Sequence, residues 1–273
     1  MTEPSSSSAA ARTTNRPDEL AREYERRFAG KAEYRRRVWA ILVRDVFQQY
    51  VTAAPASRPD RERSESRVSL PDSERSESPV SLPDSERSEA SVLELGCGWG
   101  EFINQIRARE KHGMDLNPEA AARLASGVRF LQQDCSTRWP LADNTLDAVF
   151  TSNFFEHLPD KASLAATLRE AWRSLRPGGR LVCLGPNIRY LPGAYWDFWD
   201  HYLPLTDRSL VEGLELSGFS IERVVPRFLP YTMSQERTPP LWMLSLYLRL
   251  PIVWPLFGRQ FLVVAVKPAG ASE

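Results

Sequence analysis

The stretch Val92-Leu93-Glu94-Leu95-Gly96-Cys97-Gly98-Trp99-Gly100-Glu101-Phe102 decides the fold of this chain. A short apolar run ends beside an acidic residue and then opens into three glycines at alternate positions. Glycine allows a sharp turn and lets the backbone approach a ligand closely. The following segment, Glu101 to Glu110, is predicted to be a helix whose N-terminal N–H groups face that ligand. The stretch therefore predicts a strand, a ligand-binding loop and a helix, in that order.

The glycine spacing narrows the kind of ligand. A dinucleotide fingerprint needs a third glycine where this chain has Glu101. A phosphate-binding P-loop needs a Gly-Lys-Ser/Thr sequence, and none follows. The loop therefore predicts a nucleoside ligand that carries no pyrophosphate.

Carboxylates close the next two predicted strands. The strand at 111–116 contains Asp115, about twenty residues after the glycines, which suits a bidentate hydrogen bond to two ribose hydroxyls. The strand at 128–134 ends in Asp134, which is followed by Cys135, a placement that suits an adenine amino group. Further strands at 146–153 and 180–187 flank a predicted helix at 161–175.

These motifs, taken in order, resemble the class I S-adenosylmethionine-dependent methyltransferases, in the type 11 and 23 group that modifies small molecules, lipids and sugars. The resemblance covers about residues 92–268 and implies an α/β fold. It implies a Rossmann-like doubly wound seven-stranded sheet, mostly parallel with an antiparallel last strand, plus an N-terminal helical lid. Strands six and seven are expected at Ser220 to Val225 and Gln260 to Lys267, and Thr206 is the expected N-cap of the helix at 207–217. A nucleoside-binding domain of another kind is the alternative.

The resemblance also implies S-adenosyl-L-methionine as the cofactor, without a metal. The implied cofactor contacts are Glu94, Gly96, Cys97, Gly98 and Gly100 around the methionine part, Asp115 at the ribose, Leu116 on the adenine face, Asp134 and Cys135 at the adenine edge, and the Asn153 carbonyl at the amino group.

The composition limits the class of protein. The chain has 273 residues, 42% of them hydrophobic, which suffices for one α/β domain with extensions. Its 35 Lys and Arg balance 35 Asp and Glu, which argues against a nucleic-acid partner. The three cysteines show neither metal-ligand spacing nor a disulfide framework, which predicts a reducing cytoplasm.

The N-terminal third divides into three predicted segments. Residues 1–16 form a disordered tail without the apolar core of a secretory signal, although a transit peptide stays open. Residues 17–53 form the helical lid, with lid residues at Tyr24, Arg26, Arg27 and Phe28, or a helix whose basic face is merely solvated. Residues 54–90 form a disordered linker that contains two nearly identical twelve-residue copies, at 63–74 and 75–86. A partner-binding or phosphorylated segment is the alternative there, and residues 269–273 are a tail.

The acceptor side follows the fifth predicted strand, because ligands of open α/β sheets bind beyond the carboxyl ends of the strands. The loop 187–202 is dense in aromatic and acidic groups, some of which are expected to pack and others to face the acceptor. The candidate acceptor-binding residues are Asn187, Tyr190, Tyr195, Trp196, Asp197 and Asp200. For removal of an acceptor proton the candidates are His201 first and His157 second, with a purely structural role as the alternative.

An apolar insert lies within residues 226–259. Its run 241–257 contains Arg249, Pro251 and Pro255 and is too interrupted to span a bilayer. Three interpretations stay open: a core helix that covers the sheet, an apolar lid over the acceptor, and a peripheral membrane contact at the inner membrane face.

These observations predict a methyltransferase that acts on a small-molecule acceptor by in-line displacement, with O-methylation of a sugar or lipid-linked metabolite as the main hypothesis. N- or C-methylation is one alternative, and a non-catalytic cofactor-binding subunit or sensor is another. The oligomeric state is left open.

Overall fold

The structure, a computed structural model, describes residues 31–51, 89–231 and 238–270. The predicted disordered tail, the lid residues Tyr24, Arg26, Arg27 and Phe28, nearly all of the repeat linker and the last three residues lie outside the described residues.

Seven strands form one sheet in the order β3-β2-β1-β4-β5-β7-β6. The pairings from β3 to β5 are parallel, and β7 runs antiparallel to both of its neighbours. The predicted fold class is therefore confirmed. The strands are β1 Ser91–Leu95, β2 Glu110–Asp115, β3 Val128–Gln132, β4 Leu146–Ser152, β5 Leu175–Pro186, β6 Ser220–Leu229 and β7 Gln260–Val266.

The α-helices are α1 Ala32–Leu42, α2 Lys161–Ser174, α3 Asp207–Leu216, α4 Leu241–Arg249 and α5 Trp254–Phe257. A π-helical turn (Val43–Phe47) and a 3₁₀ turn (Gln48–Tyr50) extend α1. Thr206 caps α3 as predicted, because its side chain accepts the Ser209 N–H while the Ser209 hydroxyl accepts the Thr206 N–H. These helices lie on the two faces of the sheet.

The sheet buries a core on each face, as a doubly wound sheet does. Alternate residues of each strand face opposite sides, so Leu93 and Leu95 belong to one core while Val92 belongs to the other. The first core contains Leu164 and Leu168 of α2 together with α3 residues. The second core contains residues 42–51 and the inner side of the insert.

The helix predicted at 101–110 is wrong. Hydrogen-bonded turns occupy 101–106, and β2 begins at Glu110. Two helix-like bonds form, from Asn104 N–H to the Gly100 carbonyl and from Ile106 N–H to the Phe102 carbonyl. The Ile103 N–H, which precedes the second of these bonds, donates to the Glu94 carboxylate instead. The few residues between loop and strand then have to bring the Arg109 N–H to the Ala90 carbonyl.

The segment after α1 packs against β4 and against the residues that follow the glycine loop. The Phe47 ring lies 4.9 Å from Phe150 and 6.3 Å from Phe102, while Phe102 stacks on Phe150 at 3.7 Å. An ion pair of 2.6 Å between Arg35 and Glu101, both largely buried, ties α1 to the end of the glycine loop. The end of the described part of the predicted lid segment thus contributes to the second core, through Leu42, Val43, Val46, Phe47, Tyr50 and Val51.

The insert is only partly a core element. Trp254 is buried, and Leu244, Tyr247 and Leu248 pack against the second core, but α4 contains no fully buried residue. The interpretation of the insert as a core helix therefore describes its inner side, while the outer side of α4 is exposed. Among the described residues, no helix has the length and apolarity needed to cross a bilayer.

Candidate functional site

The site lies at the carboxyl ends of the parallel strands. β1 runs into the glycine loop, β2 ends at Asp115, and β4 and β5 run into Asn153 and Asn187. β1 pairs with both β2 and β4, so these ends are neighbours. This is the edge of an open α/β sheet at which ligands bind.

The glycine loop has backbone torsions that only glycine adopts readily. Gly96, Gly98 and Gly100 have φ values of 63°, 48° and 73°. A Cβ atom on Gly96 would lie 2.3 Å from the ring of Phe154, so the position has no room for a side chain. Cys97 between them is buried and free, and its Sγ packs near Gly113, as expected for a small filler.

Two carboxylates hold this loop in place. Asp115 Oδ2 accepts the Gly98 N–H at 2.8 Å, and Asp115 Oδ1 accepts the Asn117 N–H at 2.8 Å. Glu94 Oε2 accepts the Ile103 N–H at 3.0 Å. Burial raises the pKa of both carboxyls above the usual range, well above it for Glu94, with the loop N–H bonds acting in the opposite direction. Glu94 therefore braces the loop from inside, whereas Asp115 also faces the outside.

The surroundings of Asp115 fit a nucleoside. Its neighbour Leu116 is 45% exposed, an apolar side chain open to a flat ring beside a carboxylate. Asn153 directly follows β4, which lies on the other side of β1 from Asp115, and has a left-handed φ of 47°. Its side-chain Oδ1 is buried without a hydrogen-bond partner among the described residues. A buried acceptor without a donor is costly. The amino group of a bound ligand would supply that donor.

The predicted adenine-edge residues separate into two environments. Asp134 is half-buried, and its Oδ1 accepts both the N–H and the hydroxyl of Ser136. The Cys135 side chain is buried, with its Sγ 3.4 Å from Thr167 Oγ1, so only the backbone of Cys135 can reach a ligand.

The loop 187–202, which we call the acceptor loop after its predicted role, folds onto the turn Phe155–His157. The N–H groups of Tyr202 and Leu203 donate to the Glu156 carbonyl at 2.8 and 3.0 Å. This closure brings His157 and His201 together, with ring centroids 4.9 Å apart. Two histidines separated by 44 positions in the sequence thus share one site.

His157 has the stronger partner of the two. Its Nδ1 lies 2.9 Å from the Asp200 carbonyl oxygen and 3.3 Å from Asp200 Oδ2. Burial by itself lowers the pKa of His157, but the hydrogen bonds and charge of Asp200 and the charge of Glu156 outweigh it, and the pKa is raised. About a quarter of the His157 side chain stays exposed. The ring is therefore oriented on one side and accessible on the other.

His201 is oriented by backbone. Its Nδ1 lies 2.7 Å from the Tyr195 carbonyl, and its ring packs 4.4 Å from the Tyr195 ring. His157, Asp200 and His201 each offer an atom within 4.8 Å of the others, a spacing at which a transition-metal cation can be bound.

Tyr195 supports the cluster from below. Its hydroxyl donates a short hydrogen bond to Glu156 Oε1, and its ring lies 4.9 Å from Tyr231. The side chains of Tyr195 and Glu156 are buried, and burial raises the pKa of each. Tyr195 therefore holds the loop in place rather than facing an acceptor.

The other predicted acceptor residues are dispersed. Asn187 is wrong as an acceptor ligand, because it is fully buried and its amide donates to Asp207 Oδ1 at 2.8 Å and to the Pro226 carbonyl at 3.0 Å. The Tyr190 ring lies 4.8 Å from the Arg227 guanidinium. The Trp196 indole donates to the Leu191 carbonyl. Asp197 is on the surface.

Exposed aromatics of the same loop were missed by the sequence-based list. Trp199 is 86% exposed, and Phe198 and Tyr202 are also open to solvent. Their density in the loop was a usable signal, but their exposure was not readable from the sequence.

Comparison with known proteins agrees with this geometry. Residues 93–183 match the methyltransferase domain family. A demethylmenaquinone methyltransferase of Symbiobacterium thermophilum is 36% identical over 137 residues, which cover 44% of this chain and 53% of that protein. A malonyl-[acyl-carrier protein] O-methyltransferase of Dechloromonas aromatica is 34% identical, over 47% of this chain and 50% of that protein. The chain thus spans about half the length of the curated relatives it matches.

A solved structure shares the fold across most of the chain. The SAM-dependent methyltransferase of Thermotoga maritima aligns with a TM-score of 0.55 and 17% identity, over 92% of this chain and 97% of that one. At this identity the likeness concerns the fold alone.

Proposed function

We propose that this chain, which carries a class I S-adenosylmethionine-dependent methyltransferase domain, is an enzyme that methylates a hydroxyl group of a small-molecule acceptor. The observation that carries the proposal is the His157–Asp200 pair, which follows β4 at the same edge of the sheet at which β2 ends in Asp115. The candidate proton acceptor and the carboxylate proposed to bind the nucleoside therefore lie at one sheet edge.

The residues present fit the cofactor. Asp115 would hold the ribose hydroxyls, Leu116 would pack on the adenine, and Asp134 and the Cys135 backbone would bind the adenine edge. The glycine loop would pass beneath the methionine part of the cofactor. Asn153 would accept a hydrogen bond from the amino group of that part. S-adenosylmethionine, when bound, supplies a methyl group on a positively charged sulfur that departs with the bonding electrons.

His157 acts as the general base in this proposal, ahead of His201. The Asp200 carbonyl and carboxylate take the Nδ1–H, which leaves Nε2 as the proton acceptor. As the acceptor oxygen forms its bond to carbon, its O–H bond breaks and the proton moves to Nε2. Asp200 then stabilises the imidazolium, which the raised pKa of His157 reflects. His201 would position the acceptor beside this ring.

A hydroxyl acceptor is favoured because the site provides a base. An alcohol needs its proton removed as the new bond forms, whereas a neutral amine does not. The names of the relatives concern demethylmenaquinone and a malonyl acyl-carrier protein. Together with the exposed aromatics of the loop, these names favour a lipid-linked acceptor over a sugar. N- or C-methylation is the alternative.

Cofactor binding tests the first step. Calorimetric titration of S-adenosylmethionine into the wild type is expected to show micromolar affinity, and Asp115→Ala is expected to weaken it about a hundredfold, since a buried carboxylate that binds two hydroxyls is removed. Asp197→Ala, which removes an exposed carboxylate outside the proposed cofactor contacts, is the matched control. Absence of binding by the wild type would contradict the proposal.

We also propose a reducing, cytoplasmic location. Cys97, Cys135 and Cys183 are all buried and free, and burial raises the pKa of each thiol, which disfavours oxidation.

A further inference from the structure

Large apolar side chains are exposed along one short segment of the insert. Residues 241–257 comprise α4, the turn Pro251–Val253 and α5. We call its exposed apolar side chains the apolar patch: Trp242 (65% exposed), Met243, Leu246, Leu250, Ile252 (83%), Leu256 (67%) and Phe257 (59%). Trp242 and Leu246 are four residues apart in α4 and so share a helix face, and Leu250 follows directly after the helix. Exposed apolar patches of this kind mark binding surfaces.

The patch is held firmly in place. The Tyr247 hydroxyl donates to the Phe228 carbonyl at 2.6 Å, and the Trp254 indole donates to the Tyr247 carbonyl at 2.9 Å. Arg227 Nη2 donates to the Leu256 carbonyl at 2.9 Å. The inner side is therefore fixed to β6 while the outer side stays apolar and open.

The charges around the patch select its partner. The sequence from Thr238 to Lys267 contains no Asp or Glu, whereas Arg249 and Arg259 are both exposed. Apolar side chains flanked by cations complement the acyl boundary and the anionic headgroups of a lipid surface. A symmetric pairing of two copies through this face would instead bring equivalent arginines together.

The end of the insert, two residues beyond the patch, is hydrogen-bonded to the loop 187–202. The insert leaves and rejoins the sheet at the edge that carries the site, because Gln260 pairs with both Leu229 and Pro186. Arg259 Nη1 donates to the Tyr190 carbonyl at 2.7 Å, and the Arg259 carbonyl accepts the Asn187 N–H at 3.1 Å. A surface that holds the patch therefore also holds the start of the acceptor loop.

We propose that the apolar patch docks on an anionic lipid surface and presents the acceptor loop to an acceptor dissolved in, or linked to, that lipid. The choice of acceptor rests on the proposed function, whereas the docking does not.

Flotation with vesicles tests the docking on the full chain. The vesicles are phosphatidylcholine alone or phosphatidylcholine with phosphatidylglycerol. The double variant Ile252→Ser/Leu256→Ser removes two exposed side chains, and Leu216→Ser removes an equally exposed leucine (83%) at the end of α3. We expect the double variant to lower the partition coefficient by about tenfold or more, while the control stays within about twofold of the wild type.

A charge variant tests the headgroup part. Arg249→Glu is expected to weaken binding to the phosphatidylglycerol vesicles by about fivefold or more, with a smaller effect on phosphatidylcholine alone. Equal flotation of wild type and double variant would overturn the proposal, as would absence of flotation by the wild type. A concentration-dependent dimer that the double variant abolishes, without vesicle binding, would identify a second copy as the occupant instead.

Calorimetry on the same samples separates this inference from the proposed function. Vesicle binding by a chain that fails to bind S-adenosylmethionine supports the docking and overturns the methyltransferase activity. Cofactor binding without vesicle binding supports the proposed function and overturns the docking.

Discussion

Asp200 holds the His157 imidazole through two different atoms. Its backbone oxygen lies 2.9 Å and its carboxylate Oδ2 3.3 Å from Nδ1 of the ring. The carboxylate is almost completely buried, and the imidazole is only partly exposed. A buried carboxylate at Nδ1 fixes the tautomer and stabilises the protonated ring, which is the arrangement that a general base requires.

Replacement of His157 separates catalysis from binding. His157→Gln is expected to lower kcat by about 10²- to 10⁴-fold, since no other group would accept the proton at that atom, while the cofactor affinity changes little. Single-turnover methyl transfer with labelled cofactor measures the rate, and calorimetry measures the affinity. His201→Gln is the comparison and should act mainly on KM. A larger loss of kcat in His201→Gln than in His157→Gln would reverse the two assignments.

Replacement of Asp200 shifts the pH dependence. A general base works in its neutral form, so kcat rises with pH through the pKa of His157. Asp200 raises that pKa together with Glu156, so Asp200→Asn should lower it and move the rising limb of the profile to lower pH. The charges of Asp115 and His157 also interact, and a bound cofactor would change the surroundings of Asp115. The profile is therefore recorded at saturating cofactor. A limb that stays in place would mean that another group titrates.

Chelation distinguishes a base from a metal ligand at the same cluster. His157, Asp200 and His201 are close enough to bind a cation. If His157 serves as the base, EDTA leaves the rate unchanged and added Zn²⁺ inhibits reversibly, because the metal occupies the nitrogen that takes the proton. Loss of activity on chelation, restored by one divalent cation, would show that a metal has this role instead.

Gly96→Ala tests the glycine loop. The left-handed torsion and the contact of 2.3 Å with Phe154 should together cost about 1–3 kcal/mol of stability and weaken cofactor binding. Gly127→Ala is the matched control, because Gly127 also has a positive φ, of 88°, but nothing lies within 4 Å of its Cβ position. Thermal unfolding of both variants isolates the contact from the torsion. If the added Phe154→Ala fails to restore stability to Gly96→Ala, the contact is not the cause.

The sequence was sufficient for the sheet and for the positions of the glycine loop and Asp115 at its edge. Strand ends, glycines and the carboxylate Asp115 are encoded locally, because each depends on a few neighbouring residues and on the rule that parallel strands end at one edge. The cap at Thr206 was readable for the same reason. The helix predicted at 101–110 failed because the chain returns to the sheet by Arg109, whose N–H donates to the Ala90 carbonyl, a pairing with a residue before the glycine loop.

Only the tertiary structure decided the acceptor side. Nothing local distinguishes Asn187, buried against Asp207, from Asp200, which reaches His157 across 43 positions. The same holds for the insert, whose apolar residues are alike in sequence but divide into an inner side against β6 and an exposed outer side. Pairings between distant segments depend on how the loops fold over the sheet, and burial is a property of that packing, so neither is written in any single stretch of the chain.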